Sequence, residues 1–564
     1  MNHPVKLGAR WILVSLPLVL VLAFSSAFSP QFSALKNALF VFTVSVLMAL
    51  VLFISSHWKL HKDTRTFWIA VAVHVALLGL SALISQRRLI CLQSVVLSVC
   101  GVLLFAVTLA VFAGEGSPRV IRLLQKAISV AAVLVALITV GQFFGMNLLG
   151  VFGLHPSEAG RMRMYSTLGN PDFVATFLAA ALPASVGLSI AAQRGRVLWA
   201  SASVLIGAAV LLAGSRGGVV ALAAGLTVLA FTAIRQRPRI TIVAAIAIAC
   251  ALAVGTQLNA RTPWESLRGR VFIWQVSLGE GAARSAFGIG PGTFAYDYPV
   301  RLGQFFAVSG RESLLRYVGF ERHAENDFVE AWHDTGWLGL GSLLALLGIW
   351  FMTALRRLRQ SEDEVRPALS AAIASVSALC VASLSDFPMH RAETWALLWL
   401  CMAVPLVSPI PVPAPQSGRG ELRLVGAALF LLVGGFLAFA PLAASYELVK
   451  AVFEESNGHL ERSQAAYRAA LQWDLSSPDA NFGLVRTVAK AGDYSGALAQ
   501  SRIAVRYVNE PELYILRSRI LQYAGRQSEA RRELESATRL FPFSTELSDE
   551  TTSSFLPVTA AENR

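Results

Sequence analysis

Charged residues make up only 15% of this 564-residue chain, against 55% hydrophobic, and the mean hydropathy is +0.57. Soluble domains carry about 25% charged residues, so a soluble enzyme of this length is excluded, as are disordered, collagen-like and disulfide-scaffold chains. The five cysteines, Cys91, Cys100, Cys250, Cys380 and Cys401, all lie inside apolar runs at spacings that suit neither a zinc site nor a redox pair, and read as packing residues. Ionisable residues are nearly missing from those runs. His74, in ValAlaValHisValAlaLeuLeu, is the clearest case, and a lone histidine there reads as a hydrogen-bonded packing residue. Charge at the bilayer centre costs about 2.5–3.5 kcal/mol on insertion scales, so it is retained where it moves ions or protons; its scarcity argues against a transporter. No Asp-X-Asp pair appears between the runs and no His/Cys/carboxylate cluster has metal-binding spacing, so chemistry without a metal ion or other cofactor is expected.

What the chain does have is length of apolar sequence. About 20 apolar residues cross a bilayer, and runs of that order fill it at roughly 11–28, 35–56, 67–85, 90–113, 120–144, 171–192, 197–214, 217–234, 240–258, 335–355, 367–387, 392–408 and 422–445. The expectation is an all-α, polytopic transmembrane bundle of about 12–13 spans. The formal net charge of +13 reads as topology and not as nucleic-acid binding, because the basic residues sit in short loops. A cytoplasmic N-terminus puts Lys59, Lys62 and Arg65, Arg119 and Arg122, Arg194 and Arg196, Arg235, Arg237 and Arg239, and Arg356, Arg357 and Arg359 inside. Arg87 and Arg88 dissent. The same register places 147–170, 259–333 and everything after the last span outside.

The expected organisation is a transmembrane domain over 1–445 with a large outer segment at about 259–333, a helical-repeat domain over 446–548, and a disordered tail over 549–564. Within the repeat region Gly458, Gly492 and Gly525 recur at spacings of 34 and 33, with Ala470, Ala504 and Ala537 twelve positions after each. This resembles tetratricopeptide repeats, an α-solenoid of helical hairpins, in which glycine ends the first helix of each pair and small residues let the helices approach. Such a tail implies a protein partner.

Four outward elements carry the candidate chemistry. In SerThrLeuGlyAsnPro at 166–171, Asn170 is a natural N-cap and Pro171 suits the first helical position; capping and substrate contact both stand as readings. In GlySerArgGlyGly at 214–218, Ser215 can cap the next span, while Arg216 at a positive helix terminus is awkward unless an anion lies between, which makes it a phosphate candidate beside the alternative of a solvated arginine. ArgGlyArgValPheIleTrp at 268–274 offers Arg268, Arg270 and Trp274, either a diphosphate fork or an interfacial helix. In 322–340, read as a helix, His323, Asp327, Glu330 and Asp334 form one polar stripe at the membrane boundary, with Glu325 and Asn326 pointing elsewhere. A histidine one turn from a carboxylate suits a general base; a solvated acidic helix start is the bland reading.

The succession SerThrLeuGlyAsnPro, GlySerArgGlyGly, ArgValPheIleTrp, GlyIleGlyProGlyThrPhe (288–294), HisAlaGluAsnAspPhe and AspPheProMet (386–389) resembles the bacterial O-antigen ligase and polymerase family over about 165–410. The resemblance implies a glycosyltransferase C-like membrane fold in the bacterial inner membrane, acting on the periplasmic face without a metal. It implies a polyprenyl-diphosphate-linked glycan as donor, and lipid A core or a second lipid-linked glycan as acceptor. Carried over, Arg216 and Arg270 match the diphosphate-binding arginines, with Arg268 beside them. His323 or Glu325 matches the base, since many members place a histidine directly before the asparagine where this chain has Glu325. Ser215, Trp274, Asn326, Asp327 and Asn170 are candidate substrate contacts. A non-catalytic scaffold recruiting envelope-assembly proteins through its tail is the alternative; it makes the tail indispensable and the arginines dispensable.

Overall fold

The computed structural model describes residues 2–54, 64–112, 118–153, 160–192, 194–233, 265–279, 286–407 and 420–547. Among them no strand occurs, and the architecture is helical throughout. The bundle comprises α1 (Asn2–Leu22), α2 (Ala34–Ile54), α3 (Arg65–Ile84), α4 (Arg88–Phe112), α5 (Pro118–Phe143), α6 (Pro171–Ala191), α7 (Arg196–Leu212), α8 (Arg216–Ala233), α11 (Asp327–Gln360), α12 (Arg366–Ala382), α13 (Ala392–Ala403) and α14 (Gly420–Ser456). Between α8 and α11 come α9 (Glu265–Ser277) and α10 (Phe294–Phe306); after α14 come α15 (Leu460–Trp473), α16 (Pro478–Lys490), α17 (Tyr494–Ala504), α18 (Pro511–Tyr523) and α19 (Gln527–Leu540).

Among the described residues nine helices are long and apolar enough to cross a membrane, and three shorter apolar helices, α7, α12 and α13, accompany them. Together they cover every expected span except 240–258, which lies outside the described residues. The chain is therefore a polytopic all-α protein. The middle of the bundle is α6, whose Val174–Ser185 face is almost wholly buried against α5, α7, α8 and α12. Small residues permit this. A Cβ on Gly218 would lie 2.4 Å from the Ala175 Cβ, and one on Gly187 would lie 2.9 Å from the Ala371 Cβ. Helix α1 belongs to the same core through Leu13, Leu16 and Leu20.

Helix α11 is two helices joined at Gly336, whose backbone (φ 69°, ψ −172°) is open to glycine and strained for other residues. The carbonyls freed by the break are taken by the glycine-rich loop before α10: Ile289 N–H donates to His333 O (3.3 Å) and Gly290 N–H to Asp334 O (2.9 Å). Ser81 Oγ donates to the same Asp334 carbonyl at 2.9 Å. A Cβ on Gly288 would meet the Asp334 carbonyl carbon at 2.3 Å, so the GlyIleGlyProGly motif is a plug fitted to the kink. The buried His333 imidazole then bridges Asp334 Oδ1 and Asp297 Oδ2, 3.0 Å each, and fixes α10 to α11.

The composition shift near Ala444 falls inside α14, which runs unbroken from Gly420 to Ser456. Beyond it, α15–α19 continue as antiparallel hairpins. Gly458, Gly492 and Gly525 each follow a helix end with φ of 78°, 85° and 74°, and Ala470, Ala504 and Ala537 are wholly buried at the helix contacts. The last hairpin shares a hydrophobic core with the 265–326 region: Phe272, Phe294, Tyr298 and Leu302 pack with Leu534, Ala537 and Phe541. Tyr296 Oη donates to Val505 O (2.9 Å), and Asn509 Nδ2 donates back to Tyr296 O (3.1 Å).

Candidate functional site

The turn 322–326 before α11 is where the candidate residues meet. Asn326 caps α11, its Oδ1 accepting from Phe328 N (2.9 Å) and Val329 N (3.1 Å). Its Nδ2 donates to Leu384 O at 3.0 Å, tying the cap to the turn between α12 and α13. That turn supplies further partners: Ser383 Oγ donates to Asp327 Oδ2 (2.6 Å) and Met389 N to the same oxygen (3.1 Å). Asp327 is thus consumed within the protein, buried, and organises the 383–390 turn.

His323 precedes the helix, so the four-residue stripe expected from the sequence does not form as one face. His323 nevertheless reaches Glu330, its Nδ1 lying 2.9 Å from Oε1, while Ala324 N–H donates to Oε2 at 2.9 Å. Asp334 faces His333 instead. The partner not singled out by the sequence is His390, whose Nδ1 lies 2.9 Å from Asp327 Oδ1 and whose Nε2 lies 3.3 Å from Glu330 Oε1. Burial works to lower the His390 pKa, but the Glu330 and Asp327 carboxylates overcome it and push it up to about 10. His390 and Glu330 thus favour each other's charged forms beside His323. The His323 ring stacks on Phe387, centroids 4.1 Å apart. The signal for His390 was present in AspPheProMetHisArg, a polar run between two apolar helices, but only tertiary structure carries it to Glu330.

Glu325 occupies the left-handed region (φ 52°), an uncommon conformation for a non-glycine residue and one found where a turn is held by its surroundings. Its Oε2 lies 3.4 Å from the Arg270 guanidinium. Burial raises the Glu325 pKa; Arg270 opposes this, Asp386, Glu321 and Asp172 add to it, and the result is about 7. On the same face of α9, Trp274 Nε1 donates to Ala324 O at 2.9 Å. Arg268 is exposed and lies outside this contact.

Arg216 is the first residue of α8, and Ser215, buried, caps it by accepting from Gly218 N at 3.2 Å. A Cβ on Gly217 would lie 2.6 Å from Ser385 Oγ, which places this helix start directly on the 383–386 turn that also holds Asn326. Asn170 caps α6, accepting from Asp172 N at 2.8 Å. The preceding Ser166 and Thr167 are buried: Ser166 N donates to Gln142 Oε1 (2.8 Å), and the Lys36 ammonium donates to Thr167 O (2.8 Å). SerThrLeuGlyAsnPro is therefore first a folding element. Asp386 accepts from Thr176 Oγ1 (2.8 Å) and pairs with Arg391 (3.0 Å).

His323, Glu330 and His390 each offer a ligand atom within 4.8 Å of the others, a trio able to hold a metal ion, although in the structure the three satisfy one another. Spacing alone could not show this. A cavity of about 530 Å³ opens beside His323, Asp327 and His390.

The Arg270–Glu325 pair and the His323–Glu330–His390 cluster thus meet around the turn 322–326. Residues 201–344 match the family model described as O-Antigen ligase. The matched region holds Ser215, Arg216, Arg268, Arg270, Trp274, His323, Glu325, Asn326, Asp327 and Glu330. This supports glycan transfer of the ligase or polymerase kind, with lipid-linked glycan and lipid A core-type partners in general. No curated protein matches the chain.

Proposed function

We propose that the chain is a bacterial inner-membrane glycosyltransferase that moves a glycan from polyprenyl diphosphate to an acceptor hydroxyl on the periplasmic face. The observation that carries this is the turn 322–326, which presents Glu325 to Arg270 and His323 to Glu330. Arg270 and Arg216, the latter on a capped helix start, grip the donor diphosphate, where guanidinium forks and helix N–H groups favour anions. Glu325 occupies Arg270 until the diphosphate displaces it.

His323, with Nδ1–H donated to Glu330, keeps the Nε2 lone pair for the acceptor. The acceptor oxygen bonds to the anomeric carbon as its proton passes to Nε2. The bond from that carbon to the phosphate oxygen breaks, and polyprenyl diphosphate leaves with the electron pair, stabilised by the two arginines. One displacement inverts the anomeric configuration. No step calls for a metal ion, because cationic side chains neutralise the leaving group. The tail hairpins are read as tetratricopeptide-like.

The test is to incubate purified protein, without divalent metal, with polyprenyl-diphosphate glycan from its own host, and to follow glycan size with and without lipid A core. Longer lipid-linked chains without core identify a polymerase; transfer only with core identifies a ligase. If neither product forms, and Arg216→Ala and Arg270→Ala leave envelope glycans in cells unchanged, the reading fails in favour of a scaffold.

A further inference from the structure

The cavity beside His323 changes character along its length. Its inner walls are Leu78, Leu97, Leu343, Trp395, Phe436 and Leu437, from α3, α4, α11, α13 and α14. A separate small apolar cavity, lined by Val102, Leu346 and Trp399, shares Leu78, Leu343 and Trp395 with it. The mouth of the larger cavity is polar, with Arg322, His323, Asp327 and His390 on one side and Asn37, Gln93 and Ser94 on another. A further stretch of wall comes from the tail: Trp473, Asp474, Ser476, Ser477, Pro478 and Asp479, at the turn between α15 and α16. Among the described residues His323 lines this cavity, whereas Arg216, Arg270 and Glu325 do not.

That tail turn is held against the bundle. It follows α15, which turns back after Gly458 to pack along α14, and Asp479 lies 3.7 Å from Arg322. The ring of Trp473 packs edge-on against Phe439 of α14, centroids 5.3 Å apart. At the far end a Cβ on Gly303 of α10 would fall 1.9 Å from the Leu540 carbonyl oxygen, so the last hairpin is seated in backbone contact. The solenoid is clamped at both ends, and its first turn keeps a fixed place over the cavity mouth.

We propose that this cavity is the acceptor site and that the Trp473–Asp479 turn is its outer wall, so that the tail takes part in selecting the acceptor. The occupant is an amphiphile: a sugar head among hydroxyl, amide and carboxylate groups beside His323, and a hydrocarbon chain along the leucine-lined depth. A volume of about 530 Å³ lies within the usual range for such sites, about 300–1,000 Å³. An apolar interior with a few convergent polar groups at one end fixes which end of a ligand enters first. The assignment rests on the transfer reaction above for the role of His323, and adds which side of that residue the acceptor occupies.

The test uses the full chain in phospholipid nanodiscs and a dodecyl β-glucoside carrying a diazirine on its alkyl chain. Irradiation and peptide mapping are expected to place label on the segments holding Leu97, Leu343 and Phe436, displaced by unlabelled glucoside. Ala438→Trp, which fills the cavity wall, and Ser476→Trp, which fills its mouth, are each expected to reduce that labelling at least tenfold. Asp479→Arg, at an exposed position that leaves folding intact, is expected to reduce it severalfold and to raise the KM for acceptor but not for donor. Label confined to lipid-facing residues such as Leu432, label unmoved by all three substitutions, or displacement by phospholipid as effective as by glucoside overturns the proposal. His323→Ala separates the two readings. Labelling that persists while transfer in cells is unchanged by His323→Ala removes the base role of His323 and leaves the pocket; loss of transfer without cavity labelling removes the pocket alone.

Discussion

Arg270 reaches across from α9 to place its guanidinium 3.4 Å from Glu325, on the turn that also carries His323. The pair gives each residue a consequence for the other. Glu325 is held near pKa 7 by burial, with Arg270 opposing, so it changes charge in the physiological range. In the proposed reaction, protonation of Glu325 releases Arg270 for the donor diphosphate.

Binding of polyprenyl diphosphate is therefore expected to weaken as pH rises through about 7, and Glu325→Gln is expected to flatten that dependence and tighten binding near pH 8. Fluorescence titration from pH 6 to 8 measures this. A Glu325→Gln enzyme that binds donor normally but has lost about 10²–10⁴-fold in kcat would move the base role from His323 to Glu325.

The same shift carries a stability consequence. A carboxyl whose folded pKa is raised above its unfolded value stabilises fully below the unfolded value, near 4.5, and loses that contribution as pH rises through about 7. Wild-type Tm is expected to fall relative to Glu325→Gln between pH 5 and 8. A difference that grows in the acid direction would contradict the sign.

Glu330, itself buried, serves His323 and His390 together, so its loss leaves the half-buried His390 without one of its two carboxylates. Glu330→Ala is expected to cost about 3–5 kcal/mol of stability, as breaking a buried charge pair does. The isosteric Glu330→Gln is expected to fold and to lose activity by about 10²–10⁴-fold, because the histidine is no longer oriented. Denaturation of both variants beside a transfer assay separates the two effects.

Gly218 lets α8 lie on α6, and with it Arg216 on the 383–386 turn. Gly218→Val is expected to destabilise by about 1–3 kcal/mol through overpacking and to weaken donor binding with it. A variant of normal stability and normal donor binding would show that the close approach is not needed.

Arg87, the dissenter from the charge pattern of the loops, lies 3.9 Å over the Tyr296 ring. A double-mutant cycle of Arg87→Ala and Tyr296→Leu is expected to give a coupling of about 0.5–2 kcal/mol, the range for a cation over an aromatic face. A coupling indistinguishable from zero would mean that this arginine is merely solvated.

The class of the molecule was legible in the chain. Apolar runs of bilayer length, glycines spaced 34 and 33 apart and N-caps at Asn170 and Ser215 are local or periodic signals, and the structure places helices, left-handed glycines and caps at those positions. Trp274 and Arg270, four apart, do share a face of α9, because helical period alone decides that.

What periodicity could not supply is everything that depends on two distant segments meeting. His323 and Glu330 are seven apart and join only because the chain turns before α11; His390 reaches the same carboxylate from sixty residues away. Arg87 meets the Tyr296 ring of α10, a contact that the charge pattern of the loops does not announce. The tail turn lines the cavity because α14 does not stop where the composition changes. Sequence by itself determined the helices, their caps and the membrane, since these follow from hydrophobic length and from hydrogen bonds within a few residues. Tertiary structure alone decided the site, because burial, pairing and pKa are properties of neighbours that the chain brings together only by folding.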